Sequence, residues 1–146
     1  MAKSTPVIYW DSSAILSALF TDAYSKTAKK WADTIGVHFI STLAYAEVSA
    51  VIARMKREHL LAETLVNAAF EVLTNGPWRR IFTWPAWNIV RTLSAKWPLR
   101  GADLWHLATA ETLRKDFSEL TLLTFDKRLK KAARGETLYN IRFADL

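Results

Sequence analysis

The stretch VIYWDSSAIL, Val7 to Leu16, decides how the rest of the chain is read. Four strand-favouring residues, Val7 to Trp10, run into a carboxylate and two serines, and an apolar segment then resumes. Pro6 and Asp11 bound a short buried strand, and Ala14 to Phe20 reads as a short helix behind it. Asp11 therefore stands where a strand ends and a helix begins. There it can cap the helix, or it can hold a cation at the mouth of a sheet.

Working outward, strands and helices alternate. Ser25 to Ile35 carries Ala28, Trp31, Ala32 and Ile35 at helical spacing, and Gly36 can close it. Val37 to Ser41 reads as a second strand. Leu43 to Glu58 reads as a helix capped by Ser41 or Thr42. Leu60 to Thr74 follows, with Leu61, Leu65, Ala68, Ala69 and Val72 as its apolar face and Asn75-Gly76-Pro77 as its stop. Arg80 to Thr83 is a possible short strand, and Pro85 opens a helix with Ala86, Val90, Leu93 and Trp97 in one stripe, ended by Pro98. Gly101 to Phe117 is helical with Leu104, Leu107 and Ala108 inward. Leu120 to Phe125 is an apolar strand, Asp126 to Arg134 a basic helix stopped by Gly135, and Leu138 to Phe143 a candidate last strand. This order predicts an α/β chain, an α/β/α sandwich on a mainly parallel sheet of four to five strands, with residues 1–146 as one domain. Ligands of such sheets bind outside the carboxyl ends of the strands, where Asp11 and Asp126 both fall.

Composition narrows the chemistry. With no Cys, disulfides and thiolate metal sites are excluded. An apolar fraction of 51% with 23% charged residues fits a folded chain rather than a disordered one. No apolar run approaches the ~20 residues of a membrane helix, and Met1 to Pro6 holds no signal-peptide pattern, so no membrane association and a cytoplasmic location are expected. Twenty basic against 14 acidic residues leave a net charge of +6, densest at Lys127, Arg128, Lys130, Lys131 and Arg134. Such an excess suits a polyanionic partner, nucleic acid above all, or a merely solvated basic surface.

Four acids then stand out. Asp11 and Asp126 lie at strand ends, and Asp103 lies near a helix start in LRGADLWHLATA; each of these positions also suits an ordinary helix-terminal acid. Glu47 sits in STLAYAEVSAVIA among small apolar residues, with no other charge before Arg54, and a carboxylate in such a setting needs a partner. If the four converge, their repulsion raises their pKa values unless a cation intervenes. Carboxylates without Cys or a His cluster favour a hard ion, Mg²⁺ or Mn²⁺ rather than Zn²⁺. Such a site on a basic surface suits phosphodiester hydrolysis.

The chain resembles the PIN-domain nucleases, and most closely the VapC-type toxins of toxin–antitoxin pairs. The likeness spans nearly the whole chain and rests on IYWDSSAIL, STLAYAEV, RGADLWHLATA and LLTFDKRLKKAA, in that order. It implies a Mg²⁺- or Mn²⁺-dependent endoribonuclease acting on RNA, frequent homodimers, and a small antitoxin that blocks the site. On that analogy Asp11, Glu47, Asp103 and Asp126 form the metal-binding and catalytic set, while the hydroxyls of Ser12 and Thr124 orient carboxylates or water around them. An RNA-processing nuclease outside a toxin pair, and a non-catalytic RNA-binding module, remain alternatives. A receiver-type phosphoacceptor domain is disfavoured, because no acid lies between Met1 and Trp10.

Other residues stay open. Five of the seven Trp lie between Trp78 and Trp105, as core or as an interface for a dimer mate or antitoxin. Segment Pro77 to Pro98 matches nothing in the family pattern, and Trp105 stands where the family more often has a small residue. His106 is expected to be packed or hydrogen-bonded rather than a ligand. Lys127 and Arg128 can reach phosphates, and Arg100 can contact RNA or pair locally.

Overall fold

The structure, a computed structural model, describes residues 5–139. The elements run β1 (Val7–Trp10), α1 (Ser12–Leu19), α2 (Ser25–Ala32), β2 (Val37–Ser41), α3 (Thr42–Arg57), α4 (Glu63–Asn75), β3 (Trp78–Ile81), α5 (Trp87–Lys96), α6 (Gly101–Arg114), β4 (Leu120–Leu123) and α7 (Lys127–Gly135). The described strands form one sheet in the order β3-β2-β1-β4, and every pairing is parallel. The α/β/α sandwich is therefore present with four strands. Most of the expected last strand, Leu138 to Phe143, lies outside the described residues. Leu138 itself accepts a hydrogen bond from Leu122 N at 2.7 Å, against the outer edge of β4.

Alternation in β1 builds two cores, because successive side chains of a strand point to opposite faces. Val7 and Tyr9 join Leu107, Leu113, Leu122 and Leu129 on the face covered by α5, α6 and α7. Ile8 and Trp10 join Ile15, Ile40, Val48 and Leu73 on the other. There Trp10 meets Trp78 edge to face at 5.4 Å between ring centroids, a geometry worth roughly 0.5–1.5 kcal/mol beyond its area.

Several boundaries differ from the sequence reading, each for a local reason. Helix α2 stops at Ala32, and Ile35 is 91% exposed. The chain leaves the helix there so that Val37 N can bond Pro6 O at 2.8 Å, with Gly36 packed so closely on Pro6 that a Cβ would sit 2.6 Å from its carbonyl oxygen. His59, at φ 55°, turns the chain after α3, so α4 starts at Glu63 rather than Leu60. The buried stripe of α4 is Val66, Ala69 and Leu73, whereas Leu65 and Val72 are exposed. Leu61, Leu65, Ala68 and Val72 instead line a shallow surface groove against Leu19 and Phe20. Strand β3 begins at Trp78, two residues earlier than expected, because Trp78 rather than Phe82 enters the core. The Trp-rich segment divides: Trp78 is buried, Trp97 packs against the α5–α7 core, and Trp84 and Trp87 are 73% and 90% exposed.

Candidate active site

All strand carboxyl ends of a parallel sheet share one edge, and the register shows what gathers there. Trp10 is level with Ile40 and with Leu123, and Ser41 with Ile81. The residues just beyond β1 and β4 are Asp11 and Thr124, side by side, with Asp11 N bonded to Leu123 O at 3.1 Å.

Asp11 is 3% exposed and heavily hydrogen-bonded. Its Oδ1 accepts from Ala14 N at 2.9 Å and from Ser13 Oγ at 2.7 Å, and its Oδ2 accepts from Thr124 Oγ1 at 2.5 Å. Asp11 is thus itself the cap of α1, the first of the two roles its position allows. The physical reason is that the side chain before a first helical turn reaches back to the N–H groups two or three residues on. The same turn brings Ser13, not Ser12, under the carboxylate. Ser13 Oγ also accepts from Phe125 N at 3.0 Å, so it fastens α1 to the β4–α7 junction. A carboxylate offers about four lone-pair directions. Three donors hold Asp11, and the Ser13 hydroxyl reaches both of its oxygens, at 2.7 Å and 2.9 Å. Burial pushes the Asp11 carboxyl above its ordinary range, while the bonds from Thr124, Ala14 and Ser13 pull the other way.

Thr124, fully buried, links two acids. It donates to Asp11 and accepts from Asp126 N at 3.1 Å. Asp126 is exposed at the start of α7, where its Oδ1 caps the helix through Leu129 N at 2.9 Å. Asp103 is half-buried in the first turn of α6. Its carboxyl is pushed up by burial, and then by the negative charges of Asp126 and Glu47 nearby. Asp103 and Asp126 share an open cavity of about 430 Å³ with Arg100, Lys127 and Arg128, and its other flank is the stacked pair Tyr24 and Phe125.

Glu47, half-buried on α3, has the partner its apolar setting required. His106 Nε2 lies 2.6 Å from Glu47 Oε1, and His106 Nδ1 lies 2.6 Å from the Tyr9 hydroxyl. Burial holds the Tyr9 phenol far above its ordinary value, so it remains a donor. One assignment satisfies every group: Tyr9 donates to Nδ1, and Nε2–H donates to the carboxylate. His106 is 1% exposed, so the ring is held from both sides inside the sheet edge. Ser13, Tyr9 and His106 are the site residues that sequence reasoning missed or left unassigned. For His106 the sequence signal was its three-residue spacing from Asp103.

The donor set is carboxylate oxygen throughout, which suits a hard divalent cation. Among the described residues no three His, Asp or Glu side chains cluster closely enough to cage an ion. Asp103 lies within electrostatic reach of Asp126 and Glu47, and Asp11 is joined to Asp126 through Thr124, a spread of carboxylates compatible with Mg²⁺, which commonly takes one or two of them and keeps several waters.

A parallel sheet between two helical layers, with acids near its carboxyl edge and Arg100, Lys127 and Arg128 beside two of them, defines an α/β/α domain with an acidic, cation-flanked site. The chain belongs to the PIN-domain family, whose pattern matches residues 8–135. It is similar to ribonuclease VapC45 of Mycobacterium tuberculosis (strain CDC 1551 / Oshkosh), with 31% identity over 138 residues, 88% of this chain and 90% of that protein. Among solved structures it is similar to M. tuberculosis VapC20, described as a sarcin–ricin loop cleaving toxin, at TM-score 0.58 and 17% identity over 86% of this chain and 94% of the other. It is similar also to VapBC2 of Rickettsia felis, solved bound to a DNA fragment from its promoter, at TM-score 0.57 and 14% identity over 86% and 92%. At those identities the two structures bear on the fold.

Proposed function

We propose that this chain is a Mg²⁺- or Mn²⁺-dependent endoribonuclease and the toxin of a toxin–antitoxin pair, its whole length one PIN domain. The observation that carries the reading is the buried Asp11 carboxylate. It is held by three donors and joined through Thr124 to Asp126, which shares a cation-lined cavity with Asp103. An ionised carboxylate is costly to bury, and a bound cation offsets that cost.

Asp11 and Asp103 would hold the principal ion, and Glu47 and Asp126 would complete the acidic set. A divalent ion there supplies charge stabilisation at the phosphoryl oxygens and a water of lowered pKa. The chain's own part is positional. Thr124 and Ser13 fix Asp11, Tyr9 and His106 fix Glu47, and Arg100, Lys127 and Arg128 bind backbone phosphates. Water attacks phosphorus in line, the P–O3′ bond breaks, and the products are a 3′-hydroxyl and a 5′-phosphate. A mixed RNA pool is the test, with Mg²⁺ or with EDTA, using wild type and Asp11→Asn. Cleavage only by wild type with metal is expected, and equal cleavage by both proteins rejects the reading.

The partner assignments rest on apolar surface. The groove between α1 and α4, lined by Leu19, Phe20, Leu61, Leu65 and Val72, suits an apolar segment of a small antitoxin. Phe82, Trp84 and Trp87, all strongly exposed, suit a second copy in a homodimer. Growth arrest on expression, relieved by the product of an adjacent short reading frame, tests the first. Sedimentation of wild type and Trp87→Ser tests the second. No helix among the described residues is long and apolar enough to cross a membrane, and a cytoplasmic location suits the proposed substrate.

A further inference from the structure

The acidic cavity does not end at its own rim. Arg128 lines it on one side and also lines a second cavity of about 580 Å³, whose other walls are Lys96, Trp97, Pro98, Leu99 and Lys131. A strand lying across Asp103 and Asp126 can therefore continue past Arg128 into this second space. Its walls divide by chemistry. Trp97, Pro98 and Leu99 make an apolar side, and Arg128 and Lys131, three residues apart on α7, present two cations on one helix face.

The apolar side is fixed in place. Trp97 Nε1 donates to Glu136 Oε2 at 3.1 Å. The edge of the ring lies so close to Gly135 that a Cβ there would meet it at 2.3 Å. Lys96 is paired with Glu136 Oε2 at 2.6 Å, and its ammonium lies over the Trp97 ring at 5.8 Å from the centroid, which fixes that ring further. Arg128 and Lys131 take part in no ion pair among the described residues, and no acid lines the cavity. Unpaired cations opposite a rigid apolar wall match one ligand chemistry in particular, a phosphate carrying a flat, weakly polar ring.

We propose that this second cavity is a nucleotide subsite: it takes one nucleotide of single-stranded RNA flanking the cleaved bond, the base against Trp97 and Leu99 and the phosphate on Arg128 and Lys131. The proposal rests on the ribonuclease reading and adds to it where the strand runs. The variant that isolates it is Lys131→Gln, since Lys131 lines only the second cavity. Lys29→Gln on α2 removes an equal charge elsewhere. Binding is measured in an Asp11→Asn background on two RNA oligonucleotides, a short one spanning the scissile bond and one extended by several nucleotides on each side. Lys131→Gln is expected to weaken the extended oligonucleotide about tenfold and lower its salt slope by about one, with the short one unchanged. Lys29→Gln is expected to do neither. Equal behaviour of the two variants overturns the subsite. So does a Lys131→Gln effect confined to self-association or to binding a protein partner, which assigns the surface to a protein. Absence of metal-dependent cleavage by the otherwise wild-type chain defeats the ribonuclease reading instead, and the binding comparison still decides the cavity.

Discussion

His106 Nε2 stands 2.6 Å from Glu47 Oε1, across 59 residues of sequence, and the same ring is bonded to Tyr9 on its other side. The contact ties α6 to α3 and holds the Glu47 carboxylate within electrostatic reach of Asp103. Residues that orient metal-binding groups typically matter by ~10–100-fold in metal affinity or activity. His106→Ala is expected to lose that much in both, and His106→Gln, whose amide can still donate to Glu47, to lose less. Mn²⁺ titration calorimetry beside a cleavage assay checks this. Unchanged Mn²⁺ affinity in His106→Ala would reduce the contact to packing.

Asp11→Asn separates function from stability. Burial raises the Asp11 carboxyl pKa above the ordinary 3.8, so the fold favours its protonated form. The stability that this group contributes is present below 3.8 and is lost as pH rises through the raised value. At neutral pH the buried carboxyl is then a cost that a neutral isostere removes. Asn can still cap through its oxygen and donate its amide to the Ser13 or Thr124 hydroxyl. The variant is expected to melt at or above wild type in EDTA at pH 7, yet to lose more than about a hundredfold in cleavage, the scale of several kcal/mol of electrostatic stabilisation. A clearly lower melting temperature would count against the cost assigned to the buried charge.

Thr124→Val keeps the shape and removes the hydroxyl that joins Asp11 to Asp126 N. An orphaned buried acceptor costs about 1–3 kcal/mol. Chemical denaturation should show a loss in that range together with reduced cleavage, and Thr124→Ser should restore most of both. If Val is tolerated in both assays, the bridge is dispensable.

His38 makes the fold sensitive to acid. Trp10 Nε1 donates to its Nδ1 at 3.0 Å, its Nε2 bonds Thr34 O at 2.9 Å, and burial lowers its pKa below the usual 6.5. The neutral ring is thus the folded form, and the unfolded chain takes up the proton first. Stability is full above 6.5 and falls as pH drops toward the folded value. Melting temperature should decline between pH 7.5 and 5, and His38→Gln should start lower but decline less. Parallel slopes would place the acid sensitivity elsewhere.

What the sequence determined by itself was whatever depends on near neighbours. The alternation of Val7 to Trp10 yields a strand with two covered faces, and an aspartate after it begins a helix. Order along the chain yields an α/β sandwich, because parallel strands need crossover helices between them. Asp11, Asp103 and Asp126 were legible as strand-end and helix-start residues for the same reason, and Glu47 by its apolar neighbours. The tertiary structure alone decided what depends on distant neighbours. It chose Ser13 over Ser12, since the first turn of α1 folds that hydroxyl under Asp11 and against Phe125 N. It gave α4 one buried stripe and one open one, because the side meeting β3 and α3 is covered while the other only flanks a groove beside α1. It joined Tyr9, Glu47 and His106, which no spacing relates, since β1, α3 and α6 meet only once the sheet has ordered its strands. Periodicity reports which face of an element is apolar, whereas the fold determines which apolar face is covered and which polar atoms are thereby left to find one another.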